Sequence, residues 1–179
     1  MDVRHAFISF AMILLLATAT LAQRKRDPLT PPEIDQLRDT ALEPELRLKL
    51  YVKFARARLT SLEQARNDPK ATNRARQTHD GLEDFLALYD ELNDNIDMYV
   101  DRKDDVRKPL KTVIEADTEF QAKLRALKAA ANTTPAEAKE YQFVLSNAIE
   151  TLDSSAEEHR KLLAEQEEAA KHKKKAKDQ

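Results

Sequence analysis

A single glycine, Gly81, occurs in a chain of 179 residues, and this scarcity limits the possible folds more than any other feature. Glycine reaches positive φ without a steric penalty, so a chain with one of them cannot close many tight β-hairpins. Phosphate-cradling loops and dinucleotide fingerprints are excluded too, because each needs several glycines where backbone meets ligand. Cysteine and tryptophan are absent and aromatic residues make up 6%. There is therefore no disulfide frame, thiolate zinc site or thiol nucleophile, and stability must come from a packed core. An all-α chain rich in Ala, Leu, Glu, Lys and Arg is the class that remains.

Proline supplies the punctuation. Thr30-Pro31-Pro32-Glu33 and Thr134-Pro135-Ala136-Glu137 both read as a Thr N-cap, Pro at the first helical position and Glu at the third, the capping-box pattern. Glu43-Pro44 opens another helix and Asn67-Asp68-Pro69 closes it. These marks predict a short helix near Pro31 to Leu42 and four long ones: Pro44 to Arg66, Thr72 to Arg102, Asp105 to Ala131, and Pro135 to Glu168. Pro109 is compatible with a helix that starts near Lys108 and would clash with the carbonyl of residue 105 in one that starts at Asp105. A turn there or a continuous kinked helix are both open, and an apolar stripe that shifts across the region favours the turn.

Each long segment carries an apolar stripe. Leu82, Phe85, Tyr89, Leu92, Ile96, Tyr99 and Val100 share one face of the third helix. Val106, Leu110, Val113, Phe120, Leu124 and Leu127 do so on the fourth, and Tyr141, Leu145, Ala148, Leu152 and Leu163 on the fifth. The second helix spreads Leu46, Leu48, Leu50, Tyr51, Val52, Phe54, Leu59 and Leu62 over more than half its circumference, which predicts the most buried helix of the set. Short links favour antiparallel neighbours, so the expected fold is an antiparallel up-down four-helix bundle over residues 31–168 with a short extra N-terminal helix laid across it.

The two ends differ from this domain. Arg4, an apolar run from Ala6 to Leu16 and small residues from Ala17 to Ala22 have the order of a secretory signal, with cleavage after Ala22. Ala6 to Ala22 is 17 residues, at the short limit for spanning a bilayer core of about 30 Å, so a retained membrane anchor is the alternative. Arg24, Lys25 and Arg26 follow at once in a basic linker over 23–30, and positive charge there resists export. The expected location is periplasmic or secreted. Beyond Glu168, residues 169–179 carry Lys171, Lys173, Lys174, Lys175 and Lys177. This tail is expected to be disordered and able to touch anionic lipid or envelope polymer. It lacks aromatic residues for base stacking, so no nucleic-acid partner is expected.

Charge is also divided inside the domain. From Arg47 to Arg76 nine basic residues stand against Glu63 and Asp68, net +7, and from Asp80 to Asp105 ten acidic residues stand against Arg102 and Lys103, net −8. Asp90, Asp94, Asp97 and Asp101 are spaced four, three and four, one line along the helix surface. Such a ladder binds a divalent cation only if further oxygen ligands join it; otherwise it is a solvated acidic face, partly neutralised by Lys49, Lys53 and Arg56.

Two polar residues interrupt apolar stripes. Asp117 lies between Val113 and Phe120, and a buried carboxylate must find partners or a proton. Counting outward from tight turns places Tyr89, Tyr51, Arg47 and Asn147 near its level and Arg58 roughly 15 Å away. A buried hydrogen bond or ion pair that fixes register is the expected role, with catalysis the alternative. His159 sits near the end of the fifth stripe as a core or boundary residue. No histidine has Glu three residues before it, and no His-Glu-x-x-His motif or calcium loop occurs, so ferritin-like, zincin and EF-hand metal chemistry are not expected, nor is a cofactor. Asn132-Thr133-Thr134 matches the short glycosylation pattern.

These features lead to an exported, non-enzymatic helical-bundle protein that meets an unknown protein or an anionic envelope component through charged faces and its basic tail. The alternatives are a cation-binding bundle using the acidic ladder and an enzyme centred on Asp117 and His159. The wide apolar arc of the second helix also allows a homo-oligomer.

Overall fold

The computed structural model describes residues 27–130 and 133–177. The expected signal at 1–22, most of the basic linker, Asn132 and the side chain of Lys177 lie outside the described residues. Five helices and no strands are present among those residues: α1 (Pro31–Asp39), α2 (Pro44–Asn67), α3 (Arg74–Asp101), α4 (Arg107–Lys128) and α5 (Pro135–Lys177). No described helix is long and apolar enough to cross a membrane.

Both capping boxes form. Thr30 donates its backbone N–H to Glu33 Oε2 at 2.8 Å, and Glu137 donates its N–H to Thr134 Oγ1 at 3.2 Å, which satisfies N–H groups that a helix start leaves without partners. α4 starts at Arg107 with Pro109 at its third position, where a missing N–H costs nothing. The Pro109 region is thus a real turn rather than a kink. α3 ends in a Schellman motif: Asp104 N–H reaches Tyr99 O at 3.0 Å and Lys103 N–H reaches Val100 O at 2.9 Å. The left-handed position of that motif holds Lys103, at φ 64°, where glycine is the usual occupant.

The helices form an all-α bundle. α2 packs on α3, α4 on α5, α3 on α5 and α2 on α4, with α1 against α2. Arg47 on Asn95 and Arg66 on Thr78 show α2 and α3 antiparallel. Arg56 on Glu119 and Lys123 on Glu63 show α2 and α4 parallel. Consecutive helices alternate in direction as expected, but α3 and α4 are not side-by-side neighbours. Their link crosses the end of the bundle, and they meet at its centre, where Phe85 and Phe120 rings stand edge to face 5.4 Å apart.

The predicted stripes form the core. Leu82, Phe85, Tyr89, Leu92, Ile96 and Tyr99 of α3 are at most 1% exposed, as are Val106, Leu110, Val113, Phe120 and Leu124 of α4 and its approach. Burial of one such large side chain contributes about 1.5–3 kcal/mol. α2 is not the most buried helix, because α3 buries more of its length and Leu46 of α2 is 46% exposed. Gly81 lies where α2 crosses: a methyl group there would sit 3.3 Å from Leu62 Cδ1, so the chain's one glycine serves close helix approach. α1 is held by Arg58, which donates to Pro28 O at 2.6 Å and Glu33 Oε1 at 3.0 Å, and by Arg47, which donates to Leu37 O.

The last helix departs from expectation. Residues 169–177 are helical rather than disordered, because Ala, Glu and Lys are strong helix formers, no Gly or Pro interrupts them, and lysines suit the negative end of the helix dipole. Lys171 pairs with Glu168 at 2.6 Å in the i,i+3 geometry that supports such a turn.

Candidate functional site

Asp117, expected to need partners, has them. Its side chain is fully buried. Tyr89 donates its O–H to Asp117 Oδ1 at 2.7 Å, and His159 Nδ1 lies 2.9 Å from Oδ2. An ionised carboxylate suits two donors, which assigns the imidazole proton to Nδ1. Burial pushes the Tyr89 phenol far upward, and Asp117 beside it adds to that shift, so this O–H remains a donor throughout the ordinary pH range. Phe85 and Phe120 wall the group in, each with its ring centroid within 6.5 Å of that of Tyr89.

The sequence placed Tyr89 correctly and Asn147 wrongly. Asn147 is exposed, while Arg47 and Tyr51 belong to another network, with Arg47 Nε on Asn95 Oδ1 at 2.6 Å. Gln121 and Arg125 both bind Asp153, and Lys111 binds Glu167. These contacts set α5 roughly a dozen residues, about 18 Å, out of the register a tight α4–α5 turn would give. His159 is therefore the residue opposite Asp117. The imidazole borders an open groove of about 260 Å³ together with Asn93, Asp97, Glu158 and Leu162. Ser155, one turn earlier, accepts from Asn93 Nδ2 at 3.0 Å, and no Ser155–His159 hydrogen bond joins them into a nucleophile–base pair.

Asp90, Asp94, Asp97 and Asp101 are all exposed along α3. Of the basic residues expected nearby, Lys49 holds Glu45 at 2.6 Å, Lys53 lies over the Phe54 ring and Arg56 holds Glu119 at 2.8 Å. Among the described residues, the side chains whose ligand atoms converge within 4.8 Å are His79, Asp80 and Glu83, a group the sequence reading passed over. His79 is one-third exposed there, and Asp80 is also bound by Arg76 at 2.9 Å. Lys171, Lys173, Lys174 and Lys175 are exposed on the extended end of α5.

Sequence reasoning also missed Arg66, only 7% exposed. The signal was present in the spacing of Leu59, Leu62 and Arg66, which continues the apolar stripe of α2 at steps of three and four. Arg66 donates to Thr78 Oγ1, Tyr141 OH and Thr133 Oγ1 at 3.3, 3.2 and 2.7 Å.

No family model, curated protein or solved structure matches this chain.

Proposed function

We propose that the chain is an exported, non-enzymatic bundle protein that presents a basic helical arm to an anionic partner of the cell envelope. In this reading the long helices form an up-down four-helix bundle capped by α1, and that bundle is a rigid base for the arm. The observation that carries it is the continuation of α5 through the lysine cluster. Past Glu167, which Lys111 holds near the start of α4, the helix runs on to Lys177, about 15 Å of helix that carries the lysines. Four exposed lysines on a helix keep their charges at fixed spacing, and each contributes about 1 kcal/mol beside an anionic surface. Crosslinked capture from the envelope fraction, with the full chain and one ending before Lys171, tests the reading. A partner held by the full chain and lost on truncation supports it, and identical captures from both contradict it.

A second reading rests on the Asp117–His159 hydrogen bond at 2.9 Å beside a groove. A carboxylate that orients an imidazole makes it an effective general base when a substrate reaches the other nitrogen. A panel of activated esters and phosphoesters tests it with Asp117→Asn and His159→Gln. Turnover lost in both variants supports it. Turnover in neither the parent nor the variants, or turnover kept in both variants, removes it.

A further inference from the structure

Among the described residues, Arg66 is a buried cation with no anion paired to it. Its three hydrogen-bond acceptors among the described residues are neutral hydroxyls, and its guanidinium carbon lies 5.4 Å from the centroid of the Tyr141 ring. Among the described residues no carboxylate forms an ion pair with it. Glu63 is bound to Lys123 at 2.7 Å, and Glu137, which senses the Arg66 charge, is bound to Arg74 Nη2 at 2.9 Å. Burying a charge without its opposite is costly, and the negative end of the α2 dipole offsets only part of it. Of the five guanidinium donors, Nε–H and one hydrogen of Nη2 donate to no described residue.

The same side chain borders a groove of about 220 Å³ between α2 and α4, where Leu59, Leu62, Leu124 and Leu127 are joined by Asn67 and the Glu63–Lys123 ion pair. The groove shares Leu127 and Ala130 with a second hollow of about 520 Å³ under α5, where Tyr141 and Leu145 line the wall beside Phe143. Phe143 is 85% exposed. The shifted register of α5 explains the hollow: α4 ends at Lys128, so the first turns of α5 extend beyond it and lack its cover.

We propose that this trough binds a fatty acid, its carboxylate on Nε–H and Nη2–H of Arg66 and its chain along the leucines of α2 and α4. A carboxylate is planar and takes paired guanidinium N–H groups in a fork. It supplies the missing negative charge, while the chain removes apolar surface from water. This inference is independent of the basic arm and of the Asp117–His159 pair.

Calorimetric titration of the full chain with decanoate below its micelle concentration tests it, with 1-decanol and decyltrimethylammonium as uncharged and cationic counterparts. Decanoate is expected to bind at least tenfold more tightly than either, and Arg66→Met to lose at least tenfold of that affinity. Ala126→Trp crowds the groove from an exposed position and leaves Arg66 intact, so it decides the matter if Arg66→Met does not fold. It too should lose at least tenfold. No decanoate binding, equal binding of the three amphiphiles, or undiminished binding in Ala126→Trp would overturn the proposal.

Discussion

Lys103 adopts φ 64° at the end of α3, a conformation that costs an L-residue about 1–2 kcal/mol. Part of that is recovered because lysine has less backbone freedom to lose than glycine. Lys103→Gly should therefore stabilise the protein by about 1 kcal/mol, read as a rise in Tm of roughly 2–4 °C. Asp117 gives the opposite case. Asp117→Leu leaves Tyr89 O–H and His159 Nδ1–H without an acceptor, and should cost about 1–3 kcal/mol for each stranded group in urea unfolding. Replacing the whole set, with Tyr89→Phe and His159→Leu added, should recover most of the loss, since an apolar core of similar volume needs no partners. The need for partners at Asp117 was legible in the sequence because a carboxylate interrupts a period-3.6 stripe. The identity of His159 was not, because that depends on how far the α4–α5 link travels before the next helix begins.

At the scale of elements, capping and stripe signals located every helix start to within two residues, since these are local chemistry. What they could not show was which helices sit side by side. The α3–α4 link crosses the bundle end, so the parallel pair α2 and α4 sit side by side, with the Arg56–Glu119 pair at 2.8 Å between them. The docking of α1 gives a pH prediction. Burial works to raise the Glu33 carboxyl, but hydrogen bonds from Arg58 and Thr30 outweigh it, and its pKa lies below the ordinary 4.5. A lowered folded pKa means the Glu33 contribution is complete above about pH 4.5 and fades as pH falls through the lower folded value. Arg58→Gln should therefore lower Tm at pH 7, and the gap between parent and variant should narrow below pH 4.5. A gap that stays constant from pH 7 to pH 3 contradicts this account of α1.

For the whole molecule, the near-neutral total of 30 basic and 32 acidic residues conceals a division that the fold turns into geometry. Composition showed a basic end, and its run of like charge argued for a frayed tail. The helix persists because nothing in residues 169–177 breaks it and Lys111 fastens Glu167 at 2.9 Å just before the lysines. Lys173 also lies close enough to Asp105 to act on its carboxyl, although the Arg107 hydrogen bond is the main cause that holds this group down to about 2. The basic end of α5 thus sits at a fixed place beside the start of α4 with its lysines exposed, and in the proposed reading it is the arm. Co-sedimentation of the full chain with anionic and neutral vesicles, at low and high salt, tests this most directly. The account predicts binding to anionic vesicles alone, at least tenfold weaker at high salt and lost when the chain ends before Lys171. Equal binding to both vesicle types, or binding that survives the truncation, would contradict it.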